Sequence, residues 1–226
     1  MKVLFCIPDY AAAPVVNFTH ALTNTLALLH NLGIPAETVY HCNDAYVHRA
    51  RNSLCAKFLA GDYTDLFFLD SDLGWDFKAV PRMLTRPYEF VGGAYPMKHA
   101  DKDRPYPIEL MLNADERPIV DPATGCVAAA MLPTGFWRLK RGVIEKMSGV
   151  VDWYMDEGKK TFNFFSTPVI HHEWIGEDVW FCRQWLSIGG QIWCEPNIDF
   201  THVGRKEWTG NLHEFLLRQP GGSKAA

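Results

Sequence analysis

The chain has 226 residues, 48% hydrophobic and 21% charged, with a net charge of −4. That length suffices for one well-buried domain and is short for two. A mildly acidic chain without a basic run argues against nucleic acid as the main partner, and six scattered cysteines with no CxxC read as buried thiols in a reducing, cytoplasmic setting.

"KVLFCI" at the start is a short apolar run stopped by Pro8-Asp9, as expected of a strand buried on both faces and too short for a signal peptide. Pro14 suits the first turn of a helix that runs to about Asn31 and stops at Gly33. Asn17, His20, Thr23 and Asn24 interrupt that stretch as a membrane span. "IPAETVYH" reads as a second strand, followed by a helix from about Ala45 to Ala60 closed by Gly61. "TDLFFLD" is the third strand, "DFKAVPRML" a short helix with Pro81 near its middle, and "YEFVGGAY" a fourth strand that breaks at Gly92-Gly93.

Residues 96–125 are rich in proline and charge and are expected as a loop excursion. "CVAAAML" is an apolar strand, "PTGFW" a connection, and a helix follows from about Lys140 to Met147. Residues 150–176 are aromatic and polar without clear period. A helix from Glu177 to Ile188 is marked by acids at its start and Gly189-Gly190 at its end. "QIWCEP" is expected as a strand with "IDFTHVG" as its continuation. Residues 1–205 are taken as the domain and 206–226 as a partly disordered tail.

Alternating strands and helices of this kind predict an α/β fold, with a mostly parallel sheet, helices on both faces and ligands at the carboxyl ends of the strands. Pro8-Asp9, Asn43-Asp44 and Asp70-Ser71-Asp72 all fall at such ends.

Acid at the end of an apolar strand is costly unless something compensates its charge. Asp70 and Asp72, two residues apart on extended chain, face one side about 6–7 Å from each other. A hydrogen-bonded helix-capping loop, a buried salt bridge or a bound Mg²⁺ or Mn²⁺ would each answer the cost. His202 in "DFTHVG" is either a structural histidine or a further ligand that Mn²⁺ tolerates better than Mg²⁺ does. Glu177 and Asp178 either cap their helix or supply a general base. Arg49, Arg51 and Asn52 are solvated helix residues or contacts for phosphate or a base edge. "HHEW" sets two histidines on opposite sides of a strand, which disfavours zinc. Neither GxxxxGK[ST] nor GxGxxG occurs.

In order, "RN" (Arg51-Asn52), "FL" (Phe58-Leu59), "LFFLDSD", "GGAYP", "PTGFWRLKRGVIEKM", "GEDVWFCRQWLSIGGQIWCEP" and "DFTHVG" resemble the small GT-A-type, DxD-containing glycosyltransferases of phage and bacterial genomes. The resemblance implies a GT-A-like, Rossmann-related single domain over residues 1–205. It also implies a hexosyl- or N-acetylhexosaminyl-transferase that uses Mn²⁺ or Mg²⁺ to move sugar from a nucleotide-sugar donor, UDP-linked, to an acceptor glycan or other hydroxyl compound. Carried over residue by residue, Asp72 and His202 would hold the metal, with Asp70 reaching metal, ribose or sugar. Pro8, Asp9, Tyr10, Asp44, Arg51 and Ser71 would hold the donor. Thr134 and Gly135 would lie beside its sugar and Trp174 at the acceptor. Asp178 would be the catalytic base, and Glu177 would help to hold the acceptor. An inactive nucleotide-sugar-binding module is the alternative of another class. A sugar nucleotidyltransferase is disfavoured because "IPDYAAAPV" has no glycine.

Overall fold

The computed structural model describes residues 1–98, 106–204 and 207–218. In chain order it forms β1 (Val3–Asp9), α1 (Val16–Asn31), β2 (Ala36–Cys42), α2 (Val47–Ala60), β3 (Asp65–Leu69), β4 (Leu73–Trp75), α3 (Ala79–Thr85) and β5 (Phe90–Gly92). There follow β6 (Glu109–Leu110), β7 (Val127–Met131), β8 (Phe136–Lys140), α4 (Arg141–Ser148), β9 (Trp153–Asp156), β10 (Lys159–Phe162), β11 (Val169–Ile170) and β12 (Glu173–Trp174). The chain closes with α5 (Glu177–Ser187), β13 (Ile192–Cys194), β14 (Asp199–Val203), β15 (Glu207–Asn211) and α6 (Leu212–Arg218).

The apolar runs β1 and β3 are buried on both faces because they lie inside an eight-stranded sheet of order β2-β1-β3-β8-β5-β13-β7-β6. β1 is parallel to β2 and β3, and β13 is parallel to β5. Only β8 and β7 run against the other six strands. Side chains alternate across the sheet. Phe5, Phe67 and Leu69 therefore pack with Phe18, Leu22 and Met83 from α1 and α3, while Cys6, Leu66 and Phe68 pack with Leu54, Phe58, Val143 and Phe181 from α2, α4 and α5. Each large apolar side chain so buried contributes about 1.5–3 kcal/mol. The result is a single α/β domain with helices on both faces of a mostly parallel, mixed sheet.

Five segments depart from the sequence expectations. β8 was expected as a connection, yet it is the antiparallel strand between β3 and β5. Arg138 at its centre masks the apolar pattern: the guanidinium is buried, Nε donating to Asp65 Oδ1 at 2.6 Å and Nη1 to the Tyr88 carbonyl at 2.7 Å. "IDFTHVG" does not continue β13. It becomes β14, in a separate three-stranded sheet with β4 and β15. The aromatic stretch 150–176 holds two antiparallel hairpins, β9–β10 and β11–β12, with His171 and His172 in the second turn at φ 51 and 70. The excursion 96–125 contributes β6 to the sheet edge and two isolated bridges, with 99–105 outside the described residues. The tail drawn from 206 carries β15 and α6, and Leu212 lies in the core; residues 219–226 are outside those described. Pro81 is the third residue of α3, where its missing N–H is no loss.

All six cysteines are free thiols, and only Cys42 is exposed. No helix among the described residues is long and apolar enough to cross a membrane.

Candidate active site

The carboxyl ends of β1 and β3 open side by side because the strands are parallel neighbours. A cleft there is lined by Pro8, Asp9, Tyr10, Asp44, Arg51, Asp70, Ser71 and Asp72. Every donor-side residue expected from the sequence lines it except Thr134 and Gly135, and Gly135 meets Asp70 directly. Asp9 is buried: Oδ1 accepts a hydrogen bond from Ser71 Oγ at 3.2 Å, and Oδ2 has no partner. Tyr10 stands exposed beside it.

Asp44 precedes α2, following Asn43 in the left-handed region (φ 60), a conformation asparagine tolerates. Oδ1 accepts the Tyr46 N–H at 3.0 Å, and Oδ2 faces Arg49 Nε at 2.8 Å and His41 Nε2 at 3.2 Å. Burial alone would raise this carboxyl. The bonds from Arg49, the Tyr46 N–H and His41 outweigh it and hold the group below the usual aspartate range. Asp44 therefore shapes the rim of the cleft with both oxygens already engaged.

Asp70 is the residue after β3, and its backbone N–H donates to the Gly135 carbonyl at 3.0 Å. Arg51 Nη2 donates to its Oδ1 at 3.0 Å and Tyr95 Oη to its Oδ2 at 3.4 Å. Arg51 Nη1 also donates to Glu177 Oε1 at 2.6 Å, so one buried guanidinium ties β3 to the start of α5. The Gly135 N–H donates to Tyr95 Oη at 3.1 Å. A Cβ at position 135 would lie 2.5 Å from both Asp70 Oδ2 and Tyr95 Oη, so the loop needs glycine here for close approach. Burial, and then the Asp70 charge, push the Tyr95 phenol well above its ordinary value, so it stays a donor.

Asp70 and Asp72 do not share one task. The Leu73 N–H closes a turn on the Asp70 carbonyl at 3.1 Å, and the chain leaves it as β4. Pairing of β4 with β14 sets Leu73 opposite His202, and the Val203 N–H donates to the Asp72 carbonyl at 2.9 Å. That register delivers His202 to Asp72, with Nε2 at 3.6 Å from Oδ1. His202 Nδ1 lies 2.7 Å from the Pro96 carbonyl. A carbonyl only accepts, so Nδ1 carries a proton; in the neutral tautomer Nε2 then keeps its lone pair, and in the protonated ring Nε2–H faces Asp72. Asp72 Oδ1 is buried without a hydrogen bond, and Oδ2 accepts from Lys98 Nζ. Burial would raise Asp72, but His202 and Lys98 outweigh it and hold the carboxyl below the usual range.

With the ring neutral, Asp72 Oδ1 and His202 Nε2 are thus an oxygen–nitrogen pair with free lone pairs, a set suited to Mn²⁺ when water and phosphate oxygens add to it. Among the described residues, no group of three or more His, Cys, Asp and Glu is placed to hold a metal. The expected third ligand, Asp70, instead has its carboxylate turned to Arg51 and Tyr95.

α5 begins after Gly176 with Glu177 and Asp178. Asp178 Oδ1 accepts the Val179 N–H at 2.8 Å. Burial, and then the neighbouring Glu177 charge, raise its carboxyl above the ordinary value, the direction a general base requires. Trp174, 66% exposed, stands beside it: a Cβ on Gly176 would meet Asp178 Oδ1 at 3.2 Å and the Trp174 ring at 3.9 Å. Thr134 is buried with Oγ1 unpartnered. Seven buried side-chain polar atoms lack a partner among the described residues, and four belong to this set: Asp9 Oδ2, Arg51 Nε, Asp72 Oδ1 and Thr134 Oγ1. Buried polar groups are nearly always bonded, so water or a polar ligand is needed at Asp9, Arg51 and Asp72, the three of these residues that line the cleft. Tyr95 and Lys98 were missed as site residues from the sequence. Tyr95 had a signal in "GGAYP", whereas Lys98 had none.

The fold is a GT-A-like α/β fold. The chain is similar in structure to A197 from STIV, at 22% identity over 90% of this chain and 86% of that one, with a TM-score of 0.53. It is also similar to GalNAc-T7, solved with UDP, GalNAc and Mn²⁺, at 10% identity over 91% of this chain and 44% of that one, with a TM-score of 0.55. The chain thus matches less than half the length of GalNAc-T7. At these identities the likeness shows the fold. No family model and no curated protein sequence matches the chain.

Proposed function

We propose that the protein is a metal-dependent glycosyltransferase that moves a hexosyl or N-acetylhexosaminyl group from a UDP-linked donor to an acceptor hydroxyl. One observation carries this reading: the unpartnered Asp9 Oδ2, the Arg51–Asp70 pair and Asp72, which has His202 beside it, line a single strand-end cleft. GalNAc-T7, which shares the fold, was solved with a nucleotide, a sugar and Mn²⁺.

In this assignment Asp9, Tyr10, Asp44, Arg51 and Ser71, with Pro8 as the wall, hold the nucleotide. Asp70, locked by Arg51 and Tyr95, accepts hydrogen bonds from the donor's ribose or sugar, with Thr134 and Gly135 alongside. Asp72 Oδ1 and His202 Nε2 would hold Mn²⁺ or Mg²⁺, which when bound would supply Lewis-acid neutralisation of the departing diphosphate. Asp178 takes the proton from the acceptor hydroxyl as its oxygen bonds to the anomeric carbon and the bond to the diphosphate breaks. Glu177, anchored by Arg51, fixes the start of α5 so that Asp178 is in position. The exposed face of Trp174 is a stacking platform for an acceptor glycan. The free, mostly buried cysteines suit a cytoplasmic setting.

A panel of nucleotide sugars incubated with the protein and Mn²⁺ tests the reading through donor hydrolysis and UDP binding. Both should depend on metal and fall in Asp72→Ala. Undiminished UDP affinity in EDTA, or in Asp72→Ala, refutes the metal assignment. Binding without hydrolysis across the panel favours an inactive module.

A further inference from the structure

Lys98 lies at the metal pair, although nothing in the sequence marked it. Its ammonium donates to Asp72 Oδ2 while Oδ1 of the same carboxylate stays without a hydrogen bond 3.6 Å from His202 Nε2. The side chain is about one-third exposed, and its aliphatic stem runs past Gly204, where an added Cβ would meet Lys98 Cδ at 3.1 Å. The stem therefore lies against the Gly204 backbone with its tip at Asp72. The pocket thus holds one carboxylate, one imidazole and one ammonium. Without Lys98 it would expose a half-buried negative charge with nothing to balance it.

A divalent cation on Oδ1 and Nε2 alters that balance. Two positive charges beside a single carboxylate repel the ammonium at close range. Four rotatable bonds let a lysine tip move several ångströms while its stem stays in place. The diphosphate of a bound donor would supply a new anion for it. We propose that Lys98 is an exchangeable counter-ion: it neutralises Asp72 in the donor-free protein and transfers to the donor's diphosphate when the metal–donor pair enters. This role rests on the metal assignment above and adds a second cation for the leaving group. It also gives opposite signs to two equilibria, which an ordinary structural ion pair does not.

The test measures Mn²⁺ affinity by the loss of the free-ion paramagnetic resonance signal, and UDP affinity at saturating Mn²⁺ by calorimetry. It uses the full chain as wild type, Lys98→Met, Lys98→Arg and Asp72→Ala. Loss of the competing charge in Lys98→Met should tighten Mn²⁺ about fivefold, the scale of a partly exposed ion pair. The same variant should bind UDP about tenfold more weakly, the scale of one charge-assisted hydrogen bond to phosphate. Lys98→Arg should restore UDP affinity. If Mn²⁺ binds through Asp72 and Lys98→Met leaves either affinity unchanged, the exchange is overturned and the metal assignment stands. If neither wild type nor Lys98→Met binds Mn²⁺ differently from Asp72→Ala, the metal assignment and the exchange fall together.

Discussion

Replacing Arg51 with methionine tests whether one guanidinium organises the whole cleft. Arg51→Met removes the bond to Asp70 at 3.0 Å and the bond to Glu177 at 2.6 Å while keeping most of the buried volume. Each charge-assisted bond is worth about 1.5–3 kcal/mol, and a buried charge left alone adds its desolvation. The carboxylates are not sealed, however: their side chains keep 26% and 19% exposure, so water recovers part of the loss. We expect about 3 kcal/mol of destabilisation, a large fraction of the ~5–15 kcal/mol available to a domain but short of unfolding it. With a urea slope of about 3 kcal/mol/M for a chain of this size, the midpoint should fall by about 1 M. In an Asp70→Asn, Glu177→Gln background, where Arg51 is itself the unpaired buried charge, the same change should be neutral or stabilising. UDP affinity should fall about tenfold in Arg51→Met as Asp70 loses its anchor. An equal stability cost in both backgrounds would refute the bridging role.

Gly135→Ala forces a Cβ to within 2.5 Å of Asp70 Oδ2 and Tyr95 Oη. It should cost about 2 kcal/mol in a thermal melt and weaken UDP binding, whereas Gly142→Ala in α4, whose nearest neighbour is Glu89 Oε1 at 3.5 Å, should be neutral or slightly stabilising. Asn52→Ala loses the paired bonds of 2.8 and 2.9 Å that hold the Phe165 backbone behind the site, and about 2–4 kcal/mol of unfolding free energy should go with them. Asp178→Asn should lower transfer by about 10²–10⁴ while sparing UDP affinity. In the wild type, transfer should rise with pH through the raised Asp178 value, above the ordinary aspartate range, and that limb should vanish in the variant. The two acids link to stability with opposite signs. Asp178, raised on folding, contributes stability below its unfolded pKa that is lost as pH rises through the folded one. Asp72, lowered on folding, contributes stability above its unfolded pKa that is lost as pH falls through the folded one. Asp178→Asn should therefore melt higher than wild type at neutral pH, and Asp72→Asn lower.

What the sequence by itself determined is local or periodic. The apolar runs of β1 and β3, the helix stops at Gly33 and Gly61, and the acids opening α5 need only neighbouring residues to be read. Strand–helix alternation then placed Asp9, Asp44 and Asp70 at one edge, because right-handed crossovers put successive parallel strand ends together. Tertiary structure decided the rest, wherever a partner lies far along the chain. β8 was hidden because Arg138 looks like surface until Asp65, on a neighbouring strand, neutralises it. Asp70 and Asp72 looked like one carboxylate pair because residues two apart on extended chain share a face, but the turn between them breaks the extension. One carboxylate then goes to Arg51 and Tyr95. The other goes to His202 and Lys98, which only the pairing of β4 with β14 and the path of the chain after Pro96 bring within reach.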